Sequence, residues 1–395
     1  MEKALGGLKV VDLSQCIAGP YCTKLLAGFG AEVLKIEKPD GGDMARCMGP
    51  FLDDEPGPER SGLFLYLNGG KKSITLNLKT KAGVKLFQEL IADADVLVES
   101  FRPGVMASFG LSYETLAQIN PRLVMTSISN FGQTGPYRDY KLSHLIAWHM
   151  SGGRYSDGAP GEKPLQGGGW LTYYFCGIHA LVGTAAALYQ RNATGSGQQV
   201  DTSIWESMIL TTIYSPVTYS YFGQLHNNVC RPYLGICRCK DGYIGVNVFV
   251  TSHWEMLCTF FGMPELIHDP RFETLALLNE NQEIAKALFA PQLMERTREE
   301  LFSAGVEWRI PFSLVPTTME ILTSPQHVAR GFLEEVEHPV IGKVTMPGAP
   351  FKLTETPWQQ PHPAPLLGEH NEEIFCGSLR YNREDLVRLR EQGVI

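Results

Sequence analysis

The chain has 395 residues, and 34 Lys+Arg against 42 Asp+Glu give a net charge of −8. The length suggests roughly two to three domains, and 44% apolar with 19% charged residues supplies a sizeable core. The mild acidity excludes a nucleic-acid binder, because no basic excess exists to neutralise phosphates. The longest apolar stretch, residues 177–188, reads as too short to span a bilayer, so no membrane partner is expected. The opening Met1-Glu2-Lys3-Ala4-Leu5 lacks the long apolar region of a signal peptide. Nine scattered cysteines suit a reducing cytoplasm better than a disulfide framework.

Residues 8–13 read as a buried strand, followed by a helix over 19–28 with Pro20 in its first turn. Strands follow at 32–37 and 73–77. Residues 81–92 carry helical spacing, with Thr80 as N-cap. A strand at 96–99, a short helix at 112–119 and a strand at 123–128 complete a series of βαβ units. This pattern points to an α/β fold with a parallel sheet and helices on both faces. Residues 132–169 are rich in Gly, Ser and Pro and read mostly as loop. A long buried helix is expected over 172–190, then a turn at 194–197 and an apolar pattern over 200–210. From about Tyr221 the texture changes to aromatics, a short strand (242–248) and helical pieces (280–296), which suggests a smaller domain. Seven prolines between Pro339 and Pro365 make an extended segment that must lie on another surface.

Several chemistries can be tested. The turn Ser14-Gln15-Cys16-Ile17-Ala18-Gly19-Pro20 follows the first strand but lacks the glycines of a dinucleotide fingerprint. Glu37 alone stands where a ribose-binding acid would. The turn can still offer backbone N–H groups to a phosphate at the helix N-terminus. Gly69-Gly70-Lys71-Lys72 is not a P-loop, because Leu65 stands where its first glycine belongs. Its two lysines suit either an anionic ligand or a solvated turn. Cys237-Arg238-Cys239 has no second pair at zinc spacing, and His144 and His149 are five apart, so no metal site is expected. Each histidine reads as a hydrogen-bonded interior residue.

Taken in order, several segments resemble the class III CoA-transferase family, which includes formyl-CoA and carnitine CoA-transferases. They are residues 5–12 with Ala18-Gly19-Pro20, Gly30-Ala31-Glu32-Val33, Lys35-Ile36-Glu37-Lys38, residues 68–78 and 96–104, Ile119-Asn120-Pro121-Arg122, Phe131–Pro136, residues 194–198 and 364–370. The resemblance implies a large Rossmann-like domain from the N-terminal part (1–220) and a returning C-terminal segment (326–395). A smaller inserted α+β domain (221–325) lies between them. It also implies an interlocked, ring-like dimer. The family moves CoA from an acyl-CoA donor to a carboxylic acid. An aspartate attacks the thioester and passes through mixed-anhydride and aspartyl-CoA intermediates. The implied cofactor is a CoA thioester acting as substrate, with no nicotinamide, flavin or metal. By position, Ile17 and Ala18 would pack on CoA's adenine side, Lys38 replaces an arginine near that end, and Lys71 matches a CoA-contacting lysine. Phe101 matches the aromatic of an Asn-Phe-x-Pro-Gly stretch in which Ser100 replaces the Asn, and Arg102 follows it.

The family's catalytic aspartate stands four residues before the glycine that opens the buried helix. Here that glycine is Gly177, so the position is Tyr173, and no Asp or Glu occurs between Glu162 and Asp201. A phenol forms no acyl anhydride and keeps its proton at neutral pH. The acid–base pair of the racemase branch is absent too, its positions being Ser143 and Tyr173. Ser108 stands where some members place an arginine towards CoA, and His144 where an aspartate often precedes a Ser-Gly pair. The glycine-rich loop of formyl-CoA transferase has no match over 221–260. Three readings follow. One is the non-catalytic subunit of a heteromer whose sister chain carries the chemistry, as in the two-chain benzylsuccinate CoA-transferase of anaerobic toluene degradation. Another is an active homodimer with a displaced carboxylate, Asp157 or Glu162. The last is a CoA- or acyl-CoA-binding module. Trp148, Tyr155, Trp170, Tyr173, Tyr174 and Phe175 gather near the expected pocket and read as rings that fill it.

Overall fold

The computed structural model describes residues 3–152, 155, 163–212, 214–223, 233–359 and 362–395. They form two compact units. One comprises Met1–Asp157, Pro164–Gly223 and Ala329–Ile395, and the other Gly158–Lys163 and Gln224–Val328.

The first unit alternates strands and helices: β1 (Lys9–Leu13), α1 (Ala18–Gly28), β2 (Glu32–Glu37), α2 (Gly62–Asn68), β3 (Lys72–Thr75), α3 (Lys81–Ile91) and β4 (Val96–Glu99). Then come α4 (Val105–Ser108), α5 (Tyr113–Ile119), β5 (Val124–Ser129), α6 (His144–Met150), α7 (Leu171–Thr194), β6 (Gln199–Ser203), α8 (Ile204–Ile209) and α9 (Tyr214–Phe222). Six parallel strands lie in the order β3-β2-β1-β4-β5-β6. Side chains alternate across this sheet, so each strand feeds two cores. Leu13, Leu97 and Met125 face Phe87, Leu116 and the C-terminal Phe375 on one side. Val10, Val33 and Val98 face Leu26, Cys176 and Ala180 on the other. Burial on both faces explains why neighbouring strand residues such as Val10-Val11 and Val96-Leu97-Val98 are apolar together instead of alternating with polar ones.

Thr80 caps α3 by accepting from the Gly83 N–H. Several helices escape the sequence pattern, among them α2, α4, α6 and α9. α2 and α6 are one to two turns long and start at Ser61 and Ser143, whose hydroxyls accept from Phe64 and Ile146. α6 falls inside the stretch expected to be loop. The apolar pattern over 200–210 splits into the end of β6 and α8, with Ser203 capping α8. The stretch expected to be too short for a bilayer lies inside α7, a 24-residue helix long and apolar enough to cross one by length and composition. α7 packs instead on α1, β5 and β6 through Cys176, Gly177, Ala180, Thr184 and Ala187.

After Ala329 the chain returns to this unit through a hairpin, Leu333–His338 with Gly342–Pro347. Phe351 stacks on Phe29 at 4.6 Å, and Trp358 packs edge-on against it at 5.3 Å. The Asn371 side chain bonds both the backbone and the hydroxyl of Thr75. A last helix, Arg383–Glu391, adds Leu386 to the first core. The described residues of the proline-rich segment thus bury their few apolar side chains on the sheet unit and form no separate core among themselves.

In the second unit, β7 (Tyr233–Cys239), β8 (Gly242–Asn247) and β9 (Phe312–Leu314) form an antiparallel sheet in that order. Its core gathers around Trp254, Leu257, Phe272 and Phe289.

Candidate functional site

The strand order changes direction between β1 and β4. At such a point the carboxyl ends of parallel strands leave a crevice. A cavity of about 380 Å3 lies there. Its walls are the turn after β1 (Gln15, Cys16, Ile17, Ala18), the turn after β4 (Ser100, Phe101, Arg102, Pro103) and the end of β5 (Ile128, Ser129, Asn130). Arg138, Asp139 and Tyr140 contribute from the next loop, and Tyr173 from α7.

The turn after β1 is held from below. Asp12, fully buried, accepts from Ser14 Oγ, Thr23 Oγ1 and Lys71 Nζ, the last at 2.9 Å. Burial pushes its carboxyl up, but the charges of Lys35 and Lys71 and the two hydroxyls outweigh that and hold it well below the carboxylate range. Lys35 reaches Asp43 at 2.7 Å, and Asp43 accepts the Cys16 N–H at 2.9 Å. Ser100 Oγ accepts the Gln15 N–H. Cys16 is thereby fixed at φ 63°, a left-handed conformation unusual for a residue with a side chain. Beyond it α1 opens with no acidic residue in its first turn.

The cavity brings together Ile17, Ala18, Phe101, Arg102 and Tyr173. Lys38 and Lys71 are not in its wall. Lys38 is exposed just past β2, whereas Lys71 is buried and committed to Asp12, the Pro20 carbonyl and the Asn68 side chain. Lys72 pairs with Glu373 across the surface at 2.7 Å. Glu37, placed where a ribose acid would stand, is occupied by Arg46 through both oxygens at 2.7 and 2.9 Å and by Ser73. It is a structural ion pair, which accounts for the acid without a nucleotide.

Tyr173 is half-buried, and desolvation pushes its phenol up. Its ring lies 6.5 Å from that of His144 and 6.1 Å from Trp170. His144 is the hydrogen-bonded interior histidine expected, joined to Thr172 Oγ1 at 2.8 Å and the Gly167 carbonyl at 3.1 Å. The aromatic residues do not plug the site. Tyr174 turns to Tyr21 at 4.9 Å, and of the six rings expected to fill the pocket only Tyr173 lines the cavity. Asp157 and Glu162 lie outside the described residues, as does the stretch 224–232 that would carry part of a glycine loop.

Three site features are invisible in the sequence pattern. Glu99 ends β4 beneath the cavity, 3% exposed, and accepts the Phe101 N–H at 2.8 Å. Burial, with help from the Asp201 charge, pushes its carboxyl up to about 7, against the pull of Ser127 and Phe101. The other two are Ser129 and Arg138 in the wall. The signal that leads to all of them is topological: they sit at or just past the carboxyl ends of β4 and β5.

The whole-chain comparisons agree with this geometry. The model of CoA-transferase family III matches residues 5–371. The human succinyl-CoA:glutarate CoA-transferase is 32% identical, covering 100% of this chain and 90% of the relative. The BbsE subunit of succinyl-CoA:(R)-benzylsuccinate CoA-transferase from Thauera aromatica is 32% identical over 98% of both chains. A CAIB/BAIF family protein from Brucella suis superposes with a TM-score of 0.84 at 29% identity, covering 95% of this chain and 100% of that one. Sequence, fold and site position therefore lead to one assignment: the chain belongs to CoA-transferase family III.

Proposed function

We propose that this chain is the non-catalytic subunit of a heteromeric class III CoA-transferase that moves CoA between an acyl-CoA and a carboxylic acid. The carrying observation is Tyr173. It stands in the cavity wall at the position from which the family's nucleophile acts, and its phenol is held protonated by burial. Forming an anhydride needs a carboxylate, so the acyl group has no acceptor on this wall. The cavity itself is retained, and Ile17, Ala18, Phe101 and Arg102 line it as CoA contacts, with Lys38 outside it for the phosphates. The similarity to BbsE, a subunit by its name, supports a sister chain as the partner. On α7 the apolar Leu171, Ile178, Val182 and Tyr189 stay exposed among the described residues, which supports an assembly with another chain, interlocked as the family's dimers are. Eight described cysteines, all unpaired, support a cytoplasmic setting.

A second reading, an active enzyme with a displaced carboxylate, rests on Asp139, the acid in the cavity wall. Its side chain is 79% exposed beside Arg138, so nothing raises its reactivity above that of an ordinary surface carboxylate. The two separate in one experiment. The chain purified alone is mixed with succinyl-CoA and a panel of carboxylic acids, and new thioesters are followed by mass spectrometry. No transfer is expected from the lone chain, and transfer is expected from the assembly purified from its own host. Transfer by the lone chain that vanishes in Asp139→Asn would establish the displaced-carboxylate reading instead.

A further inference from the structure

We infer that Lys71 is a positioning residue: while charged, its ammonium sets the turn after β1 on which the ligand lies, and it does so without touching that ligand. The inference rests on the cavity being an acyl-CoA site, and it changes the role that the family resemblance gives this lysine. Lys71 is 2% exposed. Its Nζ lies 2.9 Å from each of three acceptors, Asp12 Oδ2, the Pro20 carbonyl and Asn68 Oδ1. A lysine ammonium has three N–H donors. All are committed to the protein, so none is left for a phosphate.

The three acceptors belong to three elements. Asp12 is in β1, Pro20 in the first turn of α1 and Asn68 at the end of α2. One charge therefore fixes where α1 starts relative to the sheet. From Asp12 the constraint passes into the cavity wall. Asp12 accepts the Ser14 N–H at 3.0 Å as well as its hydroxyl. Lys35, 3.8 Å from Asp12, donates to the Ser14 carbonyl at 3.1 Å. A Cβ on Gly19 would stand 2.2 Å from the Ser14 side chain, so Ser14 packs hard against the start of α1. The next four residues, Gln15 to Ala18, line the cavity, whereas Asp12, Ser14 and Lys71 do not.

The charge on Lys71 is also the one in this cluster that ordinary pH can remove. Burial favours its neutral amine, the Asp12 carboxylate favours the ammonium and the Lys35 charge opposes it, which together bring its pKa down to about 8. Lys35 is equally buried, yet Asp12 and Asp43, the latter at 2.7 Å, outweigh burial and move its pKa up. The other groups facing Lys71 among the described residues are Asp43, and Lys24 and Cys22 on α1. Once Lys71 loses its proton, two donors serve three acceptors, and Asp12 keeps only Lys35 at 3.8 Å as a countercharge. The turn is then held less firmly.

Calorimetric titration of the purified chain with butyryl-CoA, which has no free thiol to titrate, tests this across pH and salt. The affinity of the native chain is expected to fall about three- to tenfold from pH 7 to pH 9. Lys71→Met should bind at least about fivefold more weakly at pH 7, with no further fall at higher pH and with the native dependence on salt. A direct contact between Lys71 and a CoA phosphate would instead flatten the salt dependence in this variant, and that result overturns the inference. Native affinity in Lys71→Met, or a native profile that is flat with pH, overturns it as well. Asn68→Ser keeps Lys71, removes one of its acceptors and decides the matter if Lys71→Met does not fold. Its loss of affinity should come at lower pH than in the native chain, and an unmoved profile also overturns the inference. Failure of the native chain to bind either CoA or butyryl-CoA removes the acyl-CoA reading, and the inference with it.

Discussion

Glu99 is a carboxyl with no cation beside it among the described residues. Two donors, the Phe101 N–H and the Ser127 hydroxyl, do not offset the loss of water, and its proton stays on to about pH 7. In the unfolded chain the same group ionises near its ordinary value of 4.5. Between these values the folded state binds more protons than the unfolded one. Stability therefore falls as pH rises from 4.5 to 7 and stays lower above that. The difference of 2.5 between 7 and 4.5 corresponds to about 3 kcal/mol at most. In Glu99→Gln the amide oxygen still accepts the Phe101 N–H and nothing ionises. Unfolding free energies from urea titration of variant and native chain should nearly agree at pH 4 and separate by about 2–3 kcal/mol in the variant's favour at pH 8. A gap that does not change with pH would discard the explanation. The sequence hides this residue because a glutamate closing a short strand reads as a solvated end. Only the fold shows Phe101 and Phe109, in edge contact at 6.3 Å, packing against the core on that side of the sheet. Tyr173 is the opposite case. Its meaning rests on spacing from Gly177, which is legible in the sequence alone.

At the scale of elements, the crossing of α1 and α7 positions the site. A Cβ on Gly177 would stand 2.6 Å from the Ala18 carbonyl oxygen, which is backbone and cannot swing away. Gly183, less than two turns further along α7, would meet only a Val200 methyl at 2.8 Å. Alanine raises helix propensity by up to about 1 kcal/mol at either position. At Gly177 the forced separation of the two helices outweighs that gain, with overpacking costing about 1–3 kcal/mol. Gly177→Ala should therefore lower the denaturation midpoint and weaken CoA binding, since Ala18 and Tyr173 both line the cavity. Gly183→Ala should leave both measurements near native, because Val200 can shift. Equal effects of the two substitutions would contradict the close crossing. The sheet and its long helices are readable in the sequence because apolar periodicity marks burial on two faces. α6 is not, because its seven residues give too short a pattern and its start depends on one serine hydroxyl. The hairpin after Ala329 is hidden by its prolines, which suggest an extended chain.

At the scale of the whole molecule, the apolar surface of α7 exceeds what the described residues of its own chain cover. Leu171, Ile178, Val182 and Tyr189 are spaced by seven, four and seven, which sets them on one face of the helix. Val182 is 60% and Tyr189 81% exposed, with Leu171 and Ile178 at 42% and 40%. α9 adds Val217, Tyr219, Tyr221 and Phe222, all at least half exposed. Isolated apolar residues on a surface need no partner, but stripes of this kind mark an interface. The net charge of −8 opposes loose self-association and does nothing for a stripe that carries no charge. A second chain of the same family is the favoured occupant, because a related helix would bring a related stripe. Native mass spectrometry at micromolar concentration should therefore find no monomer, and material from the chain's own host should contain a second, different polypeptide. Val182→Glu combined with Tyr189→Glu places two charges on the stripe without touching the buried side of α7. That variant should run as a monomer with an unchanged far-ultraviolet circular dichroism spectrum. If the native chain is itself monomeric, or the variant assembles as before, this face is not the contact.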